Sequence, residues 1–138
     1  MLIKDQLPHA RIHWIEEFKA VRVEWLKLHM KLETFQGIIG EALQVLKEHQ
    51  GSIWLADSYE SEGVFPQDIQ EFMQNDDTTA FAKSFGLKMI LSVMPKQAGL
   101  SSLSTKKWTK DAESRGDYIV HQFPDLDTCL TWLSEQEI

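Results

Sequence analysis

Asp57 and Ser58 stand side by side in the stretch "SIWLADSYESEG", residues 52–63, where a short apolar run gives way to a polar loop. A carboxylate followed by two hydroxyl side chains, Ser58 and Tyr59, has three uses. It can accept a phosphoryl group, hold an anion, or cap the loop's own backbone amides. Glu60 and Glu62 follow at once. Their charge repels a phosphate, which favours the capping role for Asp57. A second set of groups lies in "PKQAGLSSLSTKK", residues 95–107. Lys96, Ser101, Ser102, Ser104, Thr105, Lys106 and Lys107 offer cations and hydroxyls that can collect a phosphate or carboxylate. The spacing is neither a P-loop nor GxGxxG, so the plain expectation is a mobile surface loop.

Other reactive residue types form no catalytic pattern. Five histidines are present, and no two sit four apart on a helix with a carboxylate between them. His9 and His13 are evenly spaced for one face of a strand, but no third ligand accompanies them. Cys129 falls on an apolar helical stripe, as a buried structural thiol would. No Ser-His-Asp or Cys-His arrangement is recognisable. The expectation is therefore no catalytic residue, no metal and no cofactor.

The elements that must position these residues are legible from hydrophobic periodicity. Ile12 and Trp14, then Val21, Val23 and Trp25, alternate with polar residues, which predicts two strands joined by "EEFK" as a hairpin. Phe35, Ile38, Ile39, Ala42, Leu43 and Leu46 recur at three- and four-residue steps and predict a helix, with Gly51 as its C-terminal cap. "SIWLA" and "LKMILSVM" are too short and apolar for helices and suit buried strands. Between them, Pro66 opens a helical pattern that "QNDDT" divides in two. "TKKWTKDAESRG" reads as a polar helix and "DYIVHQF" as a strand. Asp125 caps a last helix carrying Leu126, Cys129, Leu130 and Leu133 on one face.

Composition bounds the function classes. The chain has 138 residues, enough for one domain with one core. A net charge of -7 argues against nucleic acid and anionic membrane surfaces as partners. A single cysteine rules out an intrachain disulfide and a Cys-based zinc site. The N-terminal residues show no apolar core of a signal peptide, and no run approaches the ~18 apolar residues of a membrane span. Both observations set the expectation of a cytoplasmic protein.

The order ββαβαβαβα, with Asp57-Ser58 directly after the middle strand, resembles the STAS domain of bacterial anti-sigma factor antagonists and of SpoIIAA-like proteins. Those antagonists carry Asp-Ser-Ser/Thr-Gly at this place. Here Tyr59 stands at the phosphoacceptor position, Glu60 replaces the glycine, and the nearest glycine is Gly63. The resemblance implies a single α/β domain over 1–138, with a four- or five-stranded mixed sheet and helices packed against it. It further implies a non-enzymatic regulatory or protein-interaction module, without the intact phosphorylation motif. Its partner is a protein, a homodimer being one candidate. The competing expectation is a binder of a small anionic or apolar ligand at the strand ends near Asp57 and the loop 95–107. A phosphoaccepting aspartate of the receiver kind, with Lys96 as its lysine, needs Mg²⁺ and further carboxylates. The first strands supply only Glu16 and Glu17, in the hairpin turn. Interface candidates are Gly37 and Gly40, which leave a smooth patch on a helix, and Trp14 and Trp108, which sit among polar neighbours.

Overall fold

A computed structural model of the chain describes residues 1–96 and 119–136. In chain order the elements are β1 (Leu2–Gln6), β2 (Ala10–Ile15), β3 (Ala20–Trp25), α1 (Leu32–Glu48), β4 (Ile53–Asp57), α2 (Gln67–Gln74), α3 (Asp76–Ser84), β5 (Met89–Val93), β6 (Ile119–Phe123) and α4 (Leu126–Ser134). The strands lie side by side in sequence order, with β1, β2 and β3 antiparallel and β3 through β6 parallel.

The α/β class holds, but the described residues form a sheet of six strands, not four or five. The additional strand is β1, whose residues are exposed except for the half-buried Gln6. A strand held by backbone bonds at a sheet edge needs no apolar alternation, so its sequence carries no burial signal. The hairpin of β2 and β3 forms as expected. A 3-10 turn at Glu16–Phe18 and a left-handed Lys19 (φ 52°) close it.

Alternation along each strand divides the side chains between two faces. On the first face, Ile12, Trp14, Val21, Val23, Trp25, Trp54 and Ile90 pack with Phe35, Ile38, Ala42, Leu43 and Leu46 of α1 and Ile69 of α2. Trp25, Phe35 and Phe65 meet there with ring centroids 5.3–5.4 Å apart. Each fully buried aliphatic side chain contributes about 1.5–3 kcal/mol relative to exposure, so this face is the main source of cohesion. On the second face, Ala20, Ile53, Leu55, Leu91, Val93 and Phe123 pack with Cys129 and Leu133 of α4.

Two expectations about single residues need correction. Trp14 is only 2% exposed. Its strand position places it on the first face, where its ring lies 4.6 Å from that of His49, so it is core and not an interface residue. Gly51 is not a left-handed cap, since α1 ends at Glu48 and the positive φ falls on Gln50 (56°). A Cβ on Gly51 would lie 2.6 Å from the Lys19 carbonyl oxygen and 2.8 Å from the Trp14 ring. Close approach of the turn after α1 to the β2–β3 hairpin is what excludes a side chain there.

Candidate functional site

The carboxyl ends of β4, β5 and β6 come together on one side of the sheet, and the backbone stays bonded beyond them. The Ser58 amide donates to the Val93 carbonyl (3.0 Å), the Met94 amide to the Phe123 carbonyl (2.9 Å) and the Lys96 amide to the Tyr59 carbonyl (3.1 Å). The loop after β4 is tied down a second time. Glu62 donates its amide to Leu26 (2.7 Å) and accepts from the Leu28 amide (3.1 Å). "DSYESEG" is thus anchored to the segments after β5 and after β3.

Asp57 is 4% exposed and fully engaged. Its Oδ2 accepts from Arg22 Nη2 (2.7 Å) and Nε (3.0 Å), and its Oδ1 accepts from the Tyr59 amide (3.1 Å). The capping role is visible in the last of these bonds. The arginine is the partner that the sequence did not reveal. Register places Asp5, Arg11, Glu24 and Asp57 in one row across β1 to β4, with His13 and Arg22 in the row beside it. Arg22 Nη2 lies 3.7 Å from Glu24 Oε2, and His13 Nε2 lies 3.1 Å from Glu24 Oε1. The polar residues that alternate with the apolar ones of β2 and β3 include Arg11, His13, Arg22 and Glu24. Paired through the hairpin, they form a half-buried network on the second face beside α4. Lys96 does not join it, because its ammonium sits 3.2 Å from Glu60 Oε2. A receiver-like aspartate–lysine pair is therefore not present. Ser58 is itself buried, 5% exposed.

Beside this anchored loop is an open cleft of about 490 Å³. Tyr59, Met94, Pro95 and Lys96 line it together with Gln122, Phe123 and Pro124. Lys96 is the charged group of the described lining, and Tyr59 and Gln122 add a hydroxyl and an amide. Pro124 leads into α4, whose first turn is already capped. Asp125 accepts from the Thr128 amide (2.7 Å), and this bond holds its carboxyl below the usual aspartate range. The exposed start of α4 is therefore occupied by a carboxylate of the chain itself.

The remaining sequence candidates separate from this cleft. Ser101, Ser102 and Trp108 lie outside the described residues. Gly37 and Gly40 lie inside α1, and a Cβ built on either meets nothing within 4 Å. They do not seat α1 on the sheet. His9 and His13 do not converge: His9 Nδ1 faces the Lys27 carbonyl (3.0 Å), and His13 faces Glu24. Among the described residues no three His, Cys, Asp or Glu side chains are grouped to hold a metal ion, and no helix is long and apolar enough to cross a membrane. Burial, and then the charge of Asp57, pushes the Cys129 thiol up to about 12, so it is not a poised nucleophile.

Comparison of the chain with protein-family models, with curated proteins and with solved structures finds no match.

Proposed function

We propose that this protein is a non-enzymatic regulatory module of the STAS or SpoIIAA-like kind, which reads a small ligand at the carboxyl ends of β4, β5 and β6. The observation that carries this reading is the cleft walled by Tyr59, Lys96, Gln122 and Phe123. In open α/β sheets, ligands bind beyond the carboxyl ends of strands. The cleft is open, so a ligand would lie against the strand ends and not be enclosed. The engagement of both Asp57 oxygens supports a structural role for the aspartate, and the burial of Ser58 argues against phosphorylation there. On this reading the module signals by occupancy of the cleft and not by phosphorylation of the loop.

Native mass spectrometry of the protein isolated from its own cells tests this. A small organic molecule should be retained at one per chain, with no phosphate on Ser58 or Tyr59. Phosphate mapped to either residue would overturn the reading of the loop as scaffold.

A further inference from the structure

We infer that the cleft selects a small organic carboxylate, an apolar ring or short chain ending in one acid group, and that this acid displaces Glu60 from Lys96. The inference rests on the cleft being the working site and adds the ligand's chemical class. Three observations carry it. First, the chain as a whole has a net charge of -7, yet the charged group of the described lining is a lysine. Glu60 balances that charge in the free protein, so a ligand acid can pair with the lysine only in place of Glu60. Second, Lys96 is already held by a carboxylate, that of Glu60 at 3.2 Å, with both side chains about half exposed. An exposed ion pair of this kind contributes little to stability, so a ligand carboxylate can take the place of Glu60 without a structural cost. Third, Phe123, Pro95 and Pro124 supply apolar walls, and the Tyr59 hydroxyl and Gln122 amide are donors for the second acid oxygen.

The same surroundings choose between acid types. Glu60 lies beside the cleft, its carboxylate 3.2 Å from the Lys96 ammonium. A phosphate dianion meets more repulsion from it than a carboxylate monoanion does. Nor does the start of α4 offer compensation, because Asp125 already occupies it.

The test uses the full chain and three probes of one shape: phenylacetate, its neutral analogue phenylacetamide, and phenyl phosphate. Binding is followed by titration of backbone amide chemical shifts. Phenylacetate should saturate shifts at Tyr59, Lys96 and Phe123 and bind about two- to fivefold tighter than the amide, the scale of one exposed ion pair. Lys96→Met should abolish that preference, and Glu60→Gln should tighten phenylacetate binding by removing its competitor. Equal binding of acid and amide at the cleft overturns the carboxylate assignment and leaves the cleft as a binding site. Tighter binding of phenyl phosphate also overturns it, as does an acid preference that survives Lys96→Met. If none of the probes shifts the cleft, this inference fails. The broader reading is then decided by whatever ligand the native protein retains.

Discussion

Arg22 reaches across from β3 to Asp57 on β4 and gives one carboxylate oxygen two N–H bonds, at 2.7 and 3.0 Å. The pair closes the inner border of a charged network on a sheet face that α4 covers only in part. It also fixes the strand end from which the loop 57–63 departs. The other oxygen of the same carboxylate accepts from the Tyr59 amide, so the salt bridge and the start of the cleft's loop share one side chain.

That geometry makes the two partners unequal to remove. Arg22→Leu should cost about 3 kcal/mol in urea unfolding, because it leaves a buried carboxylate without its cation. Adding Asp57→Asn should recover part of the loss, since the amide carries no charge and can still accept from the Tyr59 amide. A double variant less stable than Arg22→Leu would contradict the assignment.

The glycines of this protein should respond in opposite directions. Gly37→Ala and Gly40→Ala place a methyl in open space within a helix, and each should stabilise by about 0.5–1 kcal/mol. Gly51→Ala drives a methyl against the Lys19 carbonyl and the Trp14 ring, and should cost at least about 1–3 kcal/mol. Thermal unfolding of the three variants reads this directly. A change of oligomeric state on Gly37→Ala would instead mark that side of α1 as an interface between copies.

Cys129 should make its own contribution to alkaline stability. Its ordinary value is 9.0, and burial beside Asp57 raises it to about 12 in the folded chain. Below pH 9 both states keep the proton, and the thiol adds no pH dependence. Between these two values the unfolded chain releases the proton and the folded chain does not, so stability falls as pH rises. Lysine and tyrosine titrate in the same range, and the readout is therefore the difference from Cys129→Ala, whose curve should fall less steeply. At neutral pH, iodoacetamide should modify Cys129 only after unfolding.

The N-cap of α4 works in the opposite pH direction. Asp125 is held below its ordinary 3.8 by its bond from the Thr128 amide. Its stabilisation is present above that value and is lost as pH falls through the lower folded one. Asp125→Ala should lower the melting temperature at neutral pH, and the difference from wild type should vanish in strong acid. Asp125→Ser should retain most of the cap.

Much of the architecture could be read from periodicity, because burial on one face leaves a period of two or near 3.6. Val21, Val23 and Trp25 marked β3, and Phe35, Ile38, Ala42 and Leu46 marked α1. Where burial is weak or the partner is remote in sequence, the pattern falls silent. β1 is held by backbone pairing at an edge, so "LIKDQ" carried no apolar rhythm. Trp14 was misread because its neighbours His13 and Ile15 point to the other face, and local polarity says nothing about the face beneath. Asp57 was visible as a strand-end cap. Its tie to Arg22, 35 positions away, depends on the parallel register of β3 and β4, which no local pattern encodes. Tyr59 and Lys96 were individually recognisable, whereas Gln122 and Phe123 entered the cleft only through the pairing of β5 with β6.

We propose that the strand-end cleft, and not the Asp57–Ser58 dipeptide, is the working part of the molecule. Chemical-shift mapping of the full chain against a set of small organic fragments tests this most directly. Saturable shifts should cluster at Tyr59, Lys96, Gln122 and Phe123 and should persist in Ser58→Ala. Shifts that cluster elsewhere, or binding lost on Ser58→Ala with the fold intact, would contradict it.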